Sequence, residues 1–189
     1  MPNVADVWLI TGIPGAGKTT VARLLAERFE RGAHIEAEQL QQWIVRGGVW
    51  PGEEPEEENA RQLDLVTANA CLLANSYARA GFEVTIDHVV ISRRRIAEYR
   101  ERLGRHPFRL VVLNPGRAIA TARDARRTKS QIQIQETGIS IAKRWAHLEE
   151  PLVAELAEVG LWIDNSAQTP DQTVAMILKR SDEALIFPV

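Results

Sequence analysis

A glycine-rich octapeptide between an apolar run and an amphipathic segment constrains this chain more than any other feature. Residues 12–19 read Gly-Ile-Pro-Gly-Ala-Gly-Lys-Thr and match the pattern G-x-x-x-x-G-K-[ST] at every fixed position. Residues 4–11 before it have strand character, and residues 19–31 after it carry apolar side chains at helical spacing. Strand, glycine loop and helix together predict a phosphate-binding P-loop.

The residue types of this loop suit the binding of a nucleoside triphosphate. Small residues let backbone N–H groups turn towards phosphates, and the start of the following helix adds partial positive charge. Lys18 can reach the terminal phosphates, and Thr19 can offer its hydroxyl to Mg²⁺. An accidental glycine-rich turn is the alternative, which the flanking strand and helix argue against. The predicted nucleotide-binding residues of the loop are Gly12, Pro14, Gly15, Ala16, Gly17, Lys18, Thr19 and Thr20.

Length, charge and cysteine content limit the number of domains, the possible partners and the cellular compartment of the protein. The length of 189 residues predicts a single domain over residues 1–189. A net charge of −2 argues against a nucleic-acid partner. No apolar run approaches the length of a membrane span, and the N-terminus has no signal-peptide pattern. The one cysteine, Cys71, is expected to be a buried apolar residue, and its lack of an intrachain partner suits a cytoplasmic protein.

Strand-like and helix-like segments alternate along the chain. Strands are predicted at residues 4–11, 33–35, 82–87, 108–113 and 161–164. Helices are predicted at residues 19–31, 38–46, 56–80, 92–103, 117–127 and 139–159, and from Thr169 onwards. This alternation predicts an α/β fold in which a parallel sheet carries helices on both faces. The apolar tail, residues 184–189, is expected to pack back on the body.

Several helices carry signals for their ends and buried faces. Ser92 is the expected N-cap of one helix, and Thr169 with Gln172 forms a capping box at the last. Pro151 is expected to kink or interrupt the helix in which it lies. The predicted buried positions of the two helices after the second strand are Leu40, Trp43 and Ile44, and Leu63, Val66, Ala70, Leu73 and Tyr77.

The sequence lacks the distinguishing features of three other classes of P-loop protein. The chain has no Asn-Lys-x-Asp motif of the kind that reads guanine in Ras-type GTPases, and no LSGGQ-like motif of transporter ATPases. It is also short for an AAA+ machine, which usually carries a further helical lid domain. The compact P-loop kinases remain.

The chain resembles the small-molecule P-loop kinases, namely gluconate and shikimate kinases, chloramphenicol phosphotransferase and tunicamycin-resistance-type proteins. Besides the P-loop, the matching segments are His-Ile-Glu-Ala-Glu at 34–38, Thr-Ile-Asp-His at 85–88 and the basic stretch 117–129. The resemblance implies a three-layer P-loop NTPase fold with a five-stranded sheet in the order 2-3-1-4-5. It also implies ATP and Mg²⁺ as cofactors, a helical lid at about 117–138 and a substrate-side flap at about 38–58.

The resemblance gives roles to three carboxylates. Glu36 and Glu38 follow the second strand, where the family usually has aspartates, one near Mg²⁺ and one that accepts or positions the proton of the substrate hydroxyl. Asp87 ends the third strand and resembles the Walker B aspartate that holds Mg²⁺. Either Glu38 or Asp87 is the candidate base. The alternatives are a solvated first helical turn for the glutamates and a strand-end turn for Asp87.

Arginines of the predicted lid are candidates for contact with the nucleotide. Arg123, Arg126 and Arg127 are spaced to share one helix face. In related kinases such arginines stabilise the transferring phosphoryl group, a role predicted for Arg123 and Arg127, and cover the adenine, a role predicted for Arg123 and Arg126. A solvated helix face with Asp124 as ion partner is the alternative. Gln168, in the segment 165–168 after the fifth strand, is a further candidate for the adenine site.

Three more residues are predicted on the acceptor side. Trp50, in the glycine-rich flap, can stack on a substrate ring or pack on the long helix. Arg93 opposes the dipole at the start of its helix, which suggests an anionic substrate group, with a solvated basic turn as the alternative. His88 can assist substrate binding or proton transfer, or be structural. His34 is expected in the core or at an interface.

These features predict an ATP-dependent kinase that transfers the γ-phosphoryl group to a hydroxyl of a small molecule. A sugar acid, a nucleoside and an antibiotic-like molecule are the candidate acceptors. The alternatives are a nucleotide-dependent ligand-binding or resistance protein without phosphotransfer, and a polynucleotide-end kinase that the local arginines would serve. A monomer or homodimer is expected.

Overall fold

A single parallel sheet with the strand order β2-β3-β1-β4-β5 organises the fold. The structure is a computed structural model that describes residues 5–50, 53–126 and 140–186. The strands are β1 Val7–Thr11, β2 Gly32–Glu36, β3 Glu83–Asp87, β4 Phe108–Leu113 and β5 Leu161–Ile163. The five-stranded sheet and its order confirm the predicted three-layer P-loop fold.

Helices cover both faces of this sheet. They are α1 Lys18–Ala26, α2 Ala37–Gln42, α3 Glu56–Arg79, α4 Arg93–Leu103, α5 Arg117–Asp124, α6 Ile141–Arg144, α7 Glu149–Leu156 and α8 Pro170–Lys179. The Thr85 hydroxyl donates to the carbonyl of Ala22, 3.0 Å away, so this face of β3 is turned towards α1. The ring of His88 contacts Tyr99 of α4 on the other face. None of the described helices is both long and apolar enough to cross a membrane.

The central strands are buried on both faces, which explains their continuous apolar runs. All five residues of β1 are buried, and in β4 only one of six is partly exposed. The ring of Phe108 stacks on that of Tyr99, with 6.2 Å between centroids, and joins α4 to the sheet. The chain returns to this core near its end, where Ile186 N–H donates to the Phe108 carbonyl at 2.8 Å. Residues 187–189 of the predicted tail lie outside the described residues.

Three predicted helices end early. The first ends at Ala26 rather than at residue 31, because the chain turns tightly into β2: a Cβ on Gly32 would lie 1.9 Å from the Ala26 carbonyl oxygen. The second ends at Gln42 rather than at residue 46, and its Trp43 is 67% exposed instead of buried. The fifth ends at Asp124 rather than at residue 127, since the Arg126 N–H donates to the Arg123 carbonyl three residues back, a tight turn that leaves the helical ladder.

The predicted helix 139–159 is divided, but not at Pro151. A 3₁₀ turn, Ala146–Leu148, separates α6 from α7. Pro151 lies in the first turn of α7, where a missing N–H breaks no helical hydrogen bond. The capping predictions are confirmed: the Ser92 side chain accepts from Arg95 N–H, and Thr169 and Gln172 form a capping box.

The buried face of α3 differs from the predicted one. Val66 and Ala70 are buried as expected, whereas Tyr77 is 44% exposed. The other buried residues of α3 are small or polar, namely Asn59, Gln62, Thr67, Cys71, Ala74 and Ala78. Small side chains on this face let α3 pack closely on the sheet and α4. Cys71 is buried as predicted, and burial raises the pKa of its thiol to about 12, which keeps it protonated.

Candidate active site

The glycine-rich loop joins β1 to α1 at the carboxyl edge of the sheet, and two of its glycines are required by close packing. Gly12 has a φ of 143°, and a Cβ there would lie 2.4 Å from the Leu113 carbonyl oxygen. Gly15 has a φ of 85°, and its Cβ would lie 2.1 Å from the Ala120 carbonyl oxygen. The loop therefore lies directly against the end of β4 and against α5, and its backbone forms a cradle in which these two glycines leave no room for a Cβ on the packed side.

The start of α1 faces this cradle. The helix begins at Lys18, so the N–H groups of its first turn have no partner within the helix and carry its positive dipole end. Lys18 Nζ lies 3.2 Å from the carbonyl oxygen of Ile13 and so folds over the loop. Both features favour an anion with several phosphate groups at this position.

A polar chain runs from the loop across the sheet. Thr19 Oγ1 donates to Asp87 Oδ1 at 3.1 Å, and His34 Nε2 lies 2.6 Å from Asp87 Oδ2. Strand order places β3 between β1 and β2, which brings the end of β3 beside the loop. Both oxygens of the Asp87 carboxylate thus have a named partner.

His34 is one of the site residues that sequence reasoning missed. It was expected in the core or at an interface, yet it contacts Asp87 directly. The parallel register pairs His34 with Thr85 and Glu36 with Asp87, so all four side chains lie on the face of the sheet turned towards α1. Alternation places His34 and Glu36 on one face, but the register that sets them beside Asp87 cannot be read from the sequence.

The two glutamates occupy different positions. Glu36 ends β2, is partly buried and pairs in register with Asp87. Glu38 lies in the first turn of α2 and is exposed. The structure therefore brings Glu36 next to Asp87 and leaves Glu38 on the solvent side of the same edge.

A groove of about 350 Å³ opens beside the glycine loop. Arg123 and Gln168 line it together with the loop, as the predicted nucleotide contacts require. Arg123 Nη2 donates to the carbonyls of Asn165 at 2.7 Å and Ser166 at 3.2 Å. Asn165 Nδ2 donates in turn to the Ala16 carbonyl at 3.0 Å, so the segment after β5 is joined to both the loop and α5.

Two further residues of the groove were not predicted as site residues. Pro170 and Thr173 line the groove, although the sequence indicated no more than the start of α8. Thr173 Oγ1 donates to Gln168 Oε1 at 3.0 Å, which orients the Gln168 amide. No local pattern marks these residues, because only the packing of α8 against α1 brings them to the loop.

The predicted arginine face of the lid does not form on one helix. Arg126 is exposed in the turn after α5, beyond the helix that carries Arg123. Arg127 and the rest of the predicted lid to residue 138 lie outside the described residues. Of the two described arginines of this set, Arg123 lines the groove.

His88 lies on the opposite face of the sheet from Asp87, which corrects its predicted place among the acceptor residues. Its Nδ1 is 2.8 Å from the Tyr99 hydroxyl, and the two rings meet edge to face. Burial lowers the pKa of His88 to about 4, so the ring is neutral near pH 7. Consecutive strand residues point to opposite faces, which separates two neighbours in sequence.

The pKa of His88 predicts how stability depends on pH. Between its ordinary pKa of 6.5 and the folded value of about 4, the unfolded state binds more protons than the folded state. The free energy of unfolding should therefore fall as the pH drops through this window, by up to about 3 kcal/mol from this group. Urea unfolding of wild type and His88→Gln at pH values across the window measures the effect. Equal pH slopes for the two proteins would contradict it.

Arg93 has a structural contact where a substrate contact was predicted. Its Nη2 donates to the Ala157 carbonyl at 3.0 Å, at the end of α7. Its neighbours are also engaged, since Arg94 pairs with Glu98 and Arg95 pairs with Asp64 and Glu98. Arg93 as an acceptor ligand stays a prediction.

The flap is held by a network of buried amides. Gln62 Oε1 accepts from Gln41 Nε2 at 2.9 Å and from Val49 N–H at 2.8 Å. Gln62 Nε2 donates to the Gly47 carbonyl at 2.7 Å, so α3 anchors both ends of the segment 47–49. Trp50 follows directly and is 39% exposed, which leaves the ring partly accessible. Its predicted stacking on a substrate stays a prediction.

Fold and loop together define a P-loop NTPase domain. The chain belongs to the AAA domain family, whose model matches residues 7–151. Its length had argued against an AAA+ machine, and the match shows that an AAA domain is nevertheless present over these residues. No curated protein matches the sequence.

Solved structures of similar fold include small-molecule kinases. The tunicamycin resistance protein of Deinococcus radiodurans matches over 97% of this chain and 99% of its own, with a TM-score of 0.64 and 18% identity. A sugar kinase from Janibacter sp. HTCC2649 matches over 95% of this chain and 96% of its own, with a TM-score of 0.62 and 19% identity. Shikimate kinase from Acinetobacter baumannii, in complex with shikimate, matches over 94% of this chain and 93% of its own, with a TM-score of 0.59 and 19% identity. The fold predicted from the resemblance to the small-molecule P-loop kinases is thereby confirmed.

Proposed function

We propose that the protein is an ATP-dependent kinase that transfers the γ-phosphoryl group of ATP to a hydroxyl of a small molecule. The observation that carries this proposal is the hydrogen bond between Thr19 Oγ1 and Asp87 Oδ1, 3.1 Å long. It joins the hydroxyl of the phosphate loop to a carboxylate at the carboxyl edge of the sheet, where open α/β sheets bind their ligands.

The residues present fit a nucleoside triphosphate. Gly12 and Gly15 form a backbone cradle, Lys18 supplies a positive charge above it, and Arg123 lies in the adjoining groove. We assign Lys18 and Arg123 to the phosphates, where their charges offset the charge that develops during transfer. Gln168, held by Thr173, is assigned to the base of the nucleotide.

The donor set also fits Mg²⁺, which prefers oxygen ligands. We assign Thr19 Oγ1 and Asp87 Oδ1 to the metal, which would neutralise phosphate charge when bound. Because His34 contacts the other oxygen of Asp87, we assign it as a positioning residue that turns Oδ1 towards Thr19. With both Asp87 oxygens engaged, we assign the acceptor hydroxyl to Glu38, which would accept its proton as the oxygen attacks phosphorus.

The acceptor is proposed to bind between Glu36, Glu38 and the flap. The partly exposed Trp50 offers a ring face, and its segment is anchored on Gln62. Similar folds are described as a sugar kinase and a shikimate kinase in complex with shikimate. A hydroxyl-rich sugar acid, a nucleoside or an antibiotic-like molecule is therefore the proposed acceptor class.

A mass-spectrometric screen tests the proposed reaction. Sugar acids, nucleosides and antibiotics are incubated with ATP, Mg²⁺ and the full chain, and each is examined for the mass of one added phosphoryl group. A phosphorylated acceptor that is absent with Glu38→Gln supports the assignment. Tight, nucleotide-dependent binding of a compound without any phosphorylated product would overturn it and favour a ligand-binding or resistance protein.

The role of His34 predicts a specific effect on the metal. His34→Ala should weaken Mn²⁺ binding in the presence of nucleotide by about tenfold, the loss expected of one charge-assisted contact. The affinity for nucleotide without metal should stay nearly unchanged. Electron paramagnetic resonance titration of Mn²⁺ measures this, and His34→Gln, which keeps a donor, should restore part of the affinity. Equal Mn²⁺ affinities for wild type and His34→Ala would rule the role out.

A further inference from the structure

A second groove lies at the amino-terminal edge of the sheet. It has a volume of about 490 Å³ and is bordered by the segments that lead into β1, β3 and β4 and by the last turns of α3 and α4. The glycine loop is at the other edge, so the length of β1 separates the two sites by roughly 16 Å. The second groove is therefore distinct from the proposed active site.

Three arginines and no carboxylate line this groove. Arg79 ends α3, Arg102 lies in the last turn of α4, and Arg105 follows two residues beyond α4. In the described part of the chain none of the three forms an ion pair, whereas Arg94, Arg95 and Arg109 all do. We call this site, defined by Arg79, Arg102 and Arg105, the arginine groove.

The negative dipole ends of the two helices are too weak to neutralise the three arginines. The carboxyl ends of α3 and α4 each contribute about half a negative charge, which would offset roughly one arginine. About two positive charges remain in the groove. Two carboxylates along the same sheet edge are otherwise engaged: Asp6 pairs with Arg109, and Glu83 accepts the N–H of Asp6. The exposed Glu101 precedes Arg102 but does not line the groove.

The floor of the groove is fixed by hydrogen bonds. Arg100 Nη1 donates to the His106 carbonyl at 3.0 Å, and His106 Nδ1 donates to the Ala5 carbonyl at 3.2 Å. Asn75 Nδ2 donates to the Arg102 carbonyl at 2.9 Å and so joins α3 to the end of α4. His106 lines the groove although only 8% of it is exposed. A ligand would therefore have to order only arginine side chains, which lowers the entropic cost of binding.

We propose that the arginine groove binds a small anion that carries two or more phosphate groups. Guanidinium groups match phosphate oxygens in pairs, and three of them in one concavity favour a multiply charged ligand. The volume is that of a small-molecule site. A nucleic acid is a poorer match, because the arginines share one short groove rather than a stripe and the chain has a net charge of −2. This site does not depend on the proposed kinase activity.

Calorimetric titration of inorganic pyrophosphate into the metal-free full chain tests the site. Wild type should bind two equivalents, one at the glycine loop and one at the arginine groove. Arg102→Gln/Arg105→Gln should weaken the second by about tenfold or more, as expected for lost charged hydrogen bonds. Lys18→Ala should weaken pyrophosphate binding at the glycine loop and leave binding at the arginine groove unchanged. Pyrophosphate should still raise the Tm of Lys18→Ala, and this rise should vanish when the two groove substitutions are added.

A matched control removes the same charge elsewhere. Lys179→Gln/Arg180→Gln acts at the end of α8, where neither residue lines the groove, and this variant should keep both equivalents. A single equivalent that Lys18→Ala abolishes and the groove substitutions leave unchanged would overturn the proposal. Tighter binding of a single-stranded oligonucleotide than of pyrophosphate, lost in the groove variant, would overturn the small-anion assignment.

Discussion

Lys18→Ala should reduce phosphoryl transfer by about 10³-fold, the scale of losing one preorganised charge at the transferring group. The affinity for ATP should fall as well, because Lys18 supplies a full positive charge above the glycine cradle. The fold should be retained, because alanine is a favourable residue in the first turn of α1. Calorimetry with ATP measures binding before the acceptor is known, and product formation measures transfer once it is.

Two further variants sharpen this result. Lys18→Arg keeps the charge but replaces a compact ammonium by a planar group, so it should recover binding better than transfer. Lys179→Ala removes an exposed lysine at the end of α8 and should leave both unchanged. Transfer at the wild-type rate by Lys18→Ala would remove the glycine loop from the proposed mechanism.

Gly15→Ala should both destabilise the protein and weaken nucleotide binding. Its φ of 85° alone costs an alanine about 1–2 kcal/mol. The new Cβ would also lie 2.1 Å from the Ala120 carbonyl oxygen, so α5 or the loop must shift. Because α5 carries Arg123 into the nucleotide groove, that shift should lower the affinity for ATP by more than about tenfold.

Gly47→Ala is the matched control for this substitution. Gly47 has a similar φ of 79°, but its Cβ would meet no atom within 4 Å. It should therefore incur the backbone strain alone and leave the affinity for ATP unchanged. The difference between the two variants in urea unfolding isolates the contact with α5. Equal stabilities for the two would show that the loop does not pack on α5 as described.

The glycine loop and the ends of several helices were readable because their determinants are local. The spacing from Gly12 to Thr19, the Ser92 cap and the capping box at Thr169 each lie within one turn or loop. Other helix ends were misjudged. The fifth helix ends at Asp124, and the carboxylate of this last residue accepts the N–H of Ala142, which is distant in the sequence.

In the candidate site, too, some contacts could be predicted from the sequence and others could not. The family's strand order implied that Asp87 would lie beside the loop, and Asp87 contacts Thr19. The contact of His34 with Asp87 was not predicted, while His88 lies against Tyr99, in the structural role that the sequence left open. Strand alternation alone separates His88 from Asp87, whereas the contact of His34 depends on the register between β2 and β3, which no pattern within either strand specifies.

The sequence alone predicted the first strand, the phosphate loop after it, and the alternation of strands and helices. Each of these features depends on residues that lie close together in the chain. The tertiary structure alone decided the partners of the loop: His34 behind Asp87, Asn165 bonded to Ala16, and the Ala120 carbonyl that requires Gly15. It also gathered Arg79, Arg102 and Arg105 in one groove. Such contacts join residues far apart in the chain, so they follow from how the sheet and helices pack and not from any local spacing.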